Sequence, residues 1–160
     1  IYQQIQIAQA SGKPDAASQL TDQLMKDYAK SPFAVFAVSE RAKQQMQAGQ
    51  LDKAEVSLEW AEAHAGAAPL KSLTLLRIAQ VELARDHGQQ ALATLDRIPA
   101  DSYQGLAQEL RGDVLVKLGR SDEARKAYQT ALTALGEEAP QRGALQMKLD
   151  DLTVAGKQGA

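Results

Sequence analysis

The chain has 160 residues, 44 % of them hydrophobic, and a formal net charge of −2 from 18 Lys plus Arg against 20 Asp plus Glu. That length fits one domain; the near-balanced charge gives no electrostatic reason to expect nucleic acid, whose phosphates need a clustered basic surface, and seven aromatics (two Phe, four Tyr, one Trp) offer few platforms for stacked bases. With no cysteine, disulfides, thiolate zinc sites and cysteine nucleophiles are excluded.

Helix formers dominate and strand formers are sparse. Apolar residues recur at spacings of three and four, as in Leu106, Leu110, Val114 and Leu118, or Ala124, Tyr128, Ala131 and Leu135. In chain order the pattern predicts helices near 1–10, 14–29, 32–47, 51–64, 69–86, 89–98, 102–118, 121–135 and 140–153. Gly12, Gly49, Gly88 and Gly119 are expected to end periodic segments, where the backbone turns left-handed. Pro14, Pro32, Pro69 and Pro140 suit the first helical turn, and Ser31, Asp101 and Ser121 stand where N-caps are expected. Connections of a few residues make successive helices antiparallel neighbours. The expected fold class is all-α, with residues 1–155 as a single domain and 156–160 as a disordered tail.

One spacing pattern repeats. A small residue at Ala42, Ala79 and Gly112 is followed twelve residues on by Ala54, Ala91 and Ala124. Four further on stands a bulky residue: Leu58, Leu95 and Tyr128. The turn glycine matches at Gly119 and Gly49, while the third copy has Asp86 there and Gly88 two later. A weaker first copy has Gly12, Ala17 and Leu24 in frame, but Ile5 where a small residue belongs and Thr21 where a large one does. The copies are spaced 37, 37 and 33 residues, near the 34 of the tetratricopeptide repeat (TPR). The stretch Leu110-Arg111-Gly112-Asp113 with Leu115, Gly119, Ala124, Tyr128 and Ala131 resembles that repeat. The expected architecture is therefore a right-handed α-solenoid of about four TPR-like hairpins. Residues 140–153 would cap it, with Leu145, Leu149 and Leu152 on one face.

The whole chain also resembles the periplasmic domain of the YfgM family, ancillary subunits of the bacterial SecYEG translocon. The resemblance is carried by Tyr2-Gln3, Gly12-Lys13-Pro14-Asp15, Leu95-Asp96 before Ile98, Leu110 to Asp113, the Gly119–Ala131 hairpin, and Gln146-Met147-Lys148 running into Leu152. It implies a single N-terminal membrane helix ahead of Ile1 and a location on the periplasmic side of the bacterial inner membrane. It also implies partners: the SecYEG translocon, the membrane-anchored chaperone PpiD and exported polypeptides that are passed to periplasmic chaperones. No apolar run in the chain itself approaches the ~20 residues needed to cross a bilayer. The chain opens at Ile1 without an initiator Met, as a fragment of a longer protein would.

Catalytic chemistry finds little to work with. The two histidines, His64 and His87, fall near the ends of different helices, with no third ligand for zinc. Glu137-Glu138 and Asp150-Asp151 are adjacent and diverge on a helix rather than facing one substrate. The serines lack a nucleophile elbow, and Gly105 and Gly112 are followed by no phosphate-loop lysine. The expectation is a protein that is not an enzyme and carries no cofactor and no metal.

A solenoid offers surface instead. In the repeat frame the first helices line a concave face through Tyr2, Gln6 and Gln9; Phe36, Ser39, Lys43 and Met46; Leu73, Leu76, Gln80 and Leu83; and Leu106, Glu109, Asp113 and Val116. The candidate protein-binding residues are Tyr2, Phe36, Lys43, Met46, Leu73, Leu76, Gln80, Leu83, Leu106, Glu109 and Asp113. Some of them could instead pack on a neighbouring hairpin, or lie under the chain's own last helix. With no Asn, and only Lys43 at its ninth position, the face lacks the carboxylate clamp of some cytosolic TPR cochaperones. A cytosolic TPR scaffold with unrelated partners is the alternative reading. Trp60 is expected between hairpins.

Overall fold

The computed structural model describes residues 1–137 and 139–158, with side chains through Leu152. All regular structure among them is helical: α1 (Tyr2–Ala10), α2 (Pro14–Asp27), α3 (Pro32–Gln47), α4 (Leu51–His64), α5 (Ala68–Ala84), α6 (Gly88–Asp96), α7 (Gln104–Lys117), α8 (Ser121–Ala134) and α9 (Arg142–Gln158). Helices pair as α1/α2, α3/α4, α5/α6 and α7/α8, and α9 packs on α8. Each first helix also touches the next one, α1 to α3, α3 to α5 and α5 to α7. The result is a helical-hairpin solenoid whose first helices share one face.

The turns inside the hairpins share one backbone device. The amides of Lys13, Gln50, His87 and Arg120 each reach back five residues, to the carbonyls of Ala8, Gln45, Glu82 and Leu115, at 2.8–2.9 Å. The residue before each is left-handed: Gly12 (φ 66°), Gly49 (φ 72°), Asp86 (φ 63°) and Gly119 (φ 72°). This double hydrogen-bonded cap satisfies the last carbonyls of the first helix. Gly88 is thus not the turn glycine of its repeat. It is the first residue of α6, and Asp86 takes the strained position as the repeat frame requires.

Other termini also differ from expectation. Ser31 does cap α3, its Oγ accepting from the Phe33 amide at 3.3 Å. Asp101 does not cap α7: the Ser102 amide turns back to the Pro99 carbonyl, and the N-cap is Tyr103 at φ 50°. Ser121 is the first helical residue of α8 behind Arg120. Pro140 precedes α9 because successive turns, Ala139 to Gly136 and Arg142 to Ala139, delay the helix to Arg142. Pro14, Pro32 and Pro69 stand in first turns. Helix α9 continues past residue 153 to Gln158. Gly159 and Ala160, the end of the expected tail, lie outside the described residues, as does Glu138 of the Glu137-Glu138 pair.

The core follows the repeat. Ala42, Ala54, Ala79, Ala91 and Ala124 are fully buried, and Leu58, Leu95 and Tyr128 nearly so. Small residues on one helix admit the bulky residue of its partner, and each such Leu contributes about 1.5–3 kcal/mol by leaving water. In the first hairpin the sizes are exchanged. Ile5 fills the small position and Thr21 the bulky one, and both are buried, with the Thr21 hydroxyl donating to the Ala17 carbonyl at 2.8 Å. Leu145 of α9 is fully buried beside Tyr128, Ala131 and Leu132, with Leu149 and Leu152 packed alongside, so the last helix covers the apolar side of α8.

Ion pairs add a direction. Among the described residues, every ion pair joining two hairpins has its cation on the later unit and its carboxylate on the earlier one. They are Arg41–Asp22, Arg77–Glu40, Arg85–Asp52 and Arg85–Glu55, Arg97–Glu62, Arg111–Asp96, Lys117–Asp86, and Lys148 of α9 with Glu109 and Asp113. Exposed pairs contribute little to stability singly. Their common sense is nonetheless a property of the whole stack.

Candidate protein-binding groove

The face shared by the first helices opens into a cavity of about 360 Å³ between α5 and α7. Helix α5 lines it with Leu73, Leu76, Arg77 and Gln80, and α7 with Leu106, Glu109, Leu110 and Asp113. The two sets stand in the same repeat register, at spacings of three and four, so each helix presents one continuous stripe. Leu76 and Leu110 are buried and form the floor, whereas Leu106 is 45 % exposed at the rim. The walls are polar. Arg77 donates from Nη1 to Gln80 Oε1 at 3.3 Å and lies 3.7 Å from Glu40, while its Nε is buried without a partner.

The opposite wall is acidic and already engaged. Lys148 of α9 donates to Glu109 Oε1 at 2.9 Å and to both Asp113 oxygens at 2.8 and 2.9 Å. Asp113 Oδ1 also accepts from the Tyr128 hydroxyl at 2.7 Å, and the ammonium stands 5.9 Å from the centre of the Tyr128 ring. Burial alone would pull the Lys148 ammonium down, but the hydrogen bonds to Asp113 and Glu109 outweigh it and leave the pKa raised. Burial, followed by the hydrogen bond to Asp113, raises Tyr128 well above the ordinary phenol range.

Of the residues expected on the concave face, Leu73, Leu76, Gln80, Leu106, Glu109 and Asp113 meet at this cavity. The others lie elsewhere. Phe36 is 38 % exposed on α3, and Lys43 sits 3.9 Å from Glu40. Met46 packs on Ala42, Ala54, Leu58 and Val81, and Leu83 on the core cluster shared by α5, α6, α7 and α8. Tyr2 faces the Phe33 ring at 5.2 Å and edges a separate cavity of about 450 Å³ with Leu24 and Tyr28. Leu76, at 5 % exposure, is a floor residue and not a free anchor. Arg77 and Leu110 also line the cavity, and Lys148 ties to its acidic wall, outside the expected set. The first two share the α5 and α7 stripes and follow from the same periodicity, whereas Lys148 arrives from another helix 35 and 39 residues away.

Trp60 is half-buried against clusters that join α1, α2, α3 and the start of α5. It stacks on His64 at 4.0 Å, and the His64 Nδ1 lies 2.7 Å from the Trp60 carbonyl. Only a protonated Nδ1 can donate to that acceptor. His87 is the N-cap of α6. Among the described residues no group of three or more His, Asp or Glu is placed to hold a metal ion, and no helix is long and apolar enough to cross a membrane.

The chain is 28 % identical over 158 residues to the ancillary SecYEG translocon subunit of Escherichia coli, a match spanning 96 % of this chain and 73 % of that protein. The subunit of the same name from Neisseria gonorrhoeae is 32 % identical over 129 residues, 81 % of this chain and 62 % of that protein. The one from Haemophilus influenzae is 28 % identical over 162 residues, 94 % and 78 % of the respective chains. The chain thus spans between about three fifths and four fifths of these relatives. The model of the tetratricopeptide repeat-like domain matches residues 1–154, and with the hairpin register and its buried small–large pairs in place, the chain belongs to the tetratricopeptide repeat-like family.

Proposed function

We propose that this chain is a non-catalytic protein-interaction domain of a translocon-associated, membrane-tethered protein, and that it helps pass newly exported polypeptides to periplasmic chaperones of the PpiD type. Its place is on the periplasmic side of the bacterial inner membrane, through an anchor outside this chain. The observation that carries the reading is the alignment of nearly the whole chain with ancillary SecYEG translocon subunits. The open cavity between α5 and α7 supports it, because stacked hairpins bind other polypeptides on such faces and aliphatic side chains seated there each contribute about 1.5–3 kcal/mol before ordering costs.

The test is a photo-crosslinking amino acid placed at position 106 in the full-length protein, in envelope membranes. Leu106 is 45 % exposed at the cavity rim, so the replacement is tolerated. The expected adducts contain translocon subunits, a PpiD-type chaperone or exported chains, and the same probe at the exposed Val56 of α4 yields none of them. Absence of all such adducts at position 106 overturns the reading. Leu106→Glu is expected to cost about 1 kcal/mol of stability while abolishing the adducts formed from a probe at position 73.

A further inference from the structure

We infer that the acidic wall of the α5–α7 cavity is a subsite for a lysine or arginine of a partner polypeptide, adjoining a pocket for a large aliphatic side chain, and that Lys148 is the resident occupant which the partner displaces. The inference rests on the reading of this face as the partner-binding surface and names the chemistry that it recognises.

Two carboxylates stand one turn apart on α7, Glu109 and Asp113, both half-buried and both on the cavity wall. Half-burying two acids side by side is costly without a cation. That cation is supplied by α9, which otherwise docks through Leu145, Leu149 and Leu152 on the α8 cluster. The three oxygens around Lys148 Nζ, at 2.8–2.9 Å, surround an ammonium group and match the donors of one. The Lys148 side chain is 37 % exposed, so a competing cation can approach it from solvent. Beside this charged end lies the aliphatic stretch formed by Leu73, Leu76, Leu106 and Leu110, which Lys148 does not line. A segment with a Leu- or Ile-type residue close to a Lys or Arg therefore matches both halves. Acidic segments are disfavoured by Glu109 and Asp113, because the cation on the facing wall, Arg77, is held by Glu40 at 3.7 Å.

The probe is a fluorescein-labelled twelve-residue peptide of leucines and lysines, with a counterpart carrying glutamate at every lysine position. Binding to the wild-type chain is read by anisotropy at low salt. The Leu/Lys peptide is expected to bind at least about tenfold more tightly than the Leu/Glu peptide. Lys148→Met keeps the side-chain stem and removes the competing charge. It raises affinity for the Leu/Lys peptide about fivefold and lowers that for the Leu/Glu peptide. Lys148→Arg stays within about twofold of wild type, and Glu109→Gln with Asp113→Asn erases the preference between the peptides. The ratio of the two affinities is the deciding quantity. If Lys148→Met merely loosens α9 and bares apolar surface, both peptides gain alike and the inference falls. It falls equally if wild type does not distinguish the peptides. Translocon adducts at position 106 with no peptide preference would sink the subsite and leave the proposed function standing. A peptide preference without such adducts would do the reverse.

Discussion

The ring of Tyr128 occupies the volume that a side chain at Gly112 would take. A Cβ built on Gly112 comes within 2.9 Å of Tyr128 Cζ and closer still to two other ring atoms. The ring cannot swing away, because its hydroxyl is tied to Asp113 at 2.7 Å and the residue is buried. Gly112→Ala is therefore expected to destabilise. Overpacking costs about 1–3 kcal/mol and the better helix propensity of Ala returns about 1. Adding Tyr128→Leu recreates the Ala–Leu pairing of Ala79 with Leu95 and Ala42 with Leu58, and should recover most of the loss. Urea denaturation of both single variants and the double variant decides it; additive effects would contradict the packing argument.

The exchanged sizes at Ile5 and Thr21 make a second cycle. Ile5→Ala alone leaves a hole and costs about 2–5 kcal/mol. Thr21→Leu alone crowds the hairpin and costs about 1–3 kcal/mol. Together they restore the small–large order of the later repeats, and the double variant is expected to be more stable than Ile5→Ala, as read by thermal melts.

These pairs also show what was readable beforehand. Helix number and order follow from periodicity and from turn residues, because hairpin packing is local and repeats itself. The third turn could be read two ways, from Gly88 or from the frame position of Asp86. The backbone obeys the frame, since the cap is defined by its distance from the helix it closes. The start of α7 was not legible, because a left-handed Tyr103 carries no compositional signal. Of the cavity, the α5 and α7 stripes were legible as periodic rows. The tie from Lys148 was not, because it joins helices that no local pattern links.

Asp86 gives a third prediction. Asp86→Gly and Asp86→Ala both remove the ion pair with Lys117, so the difference between them isolates the left-handed backbone at φ 63°. The Gly variant should melt about 2–4 °C above the Ala variant. Equal melting temperatures would mean that the turn relaxes.

The fourth concerns alkaline pH. Burial and the hydrogen bond to Asp113 raise Tyr128, and the bonds to Asp113 and Glu109 overcome burial to raise Lys148. A group whose folded pKa is raised contributes fully below its unfolded value, about 10 for Tyr and 10.4 for Lys, and loses that contribution as pH climbs through the folded value. Stability should hold from pH 7 to about 9 and fall above about 10. In an absorbance titration the wild-type chain shows a late tyrosinate step that Tyr128→Phe lacks. Lys148→Met lessens the alkaline loss.

The common sense of the ion pairs between hairpins carries a consequence for assembly. Each unit is electrostatically vectorial, with a basic front and an acidic back, so two hairpins docked back to back would bring carboxylates together. An extra hairpin spliced in with the original orientation meets matching charges at both junctions, whereas an inverted one meets repulsion at both. The order of units along the chain is thereby written on their surfaces as well as in the linkers that connect them.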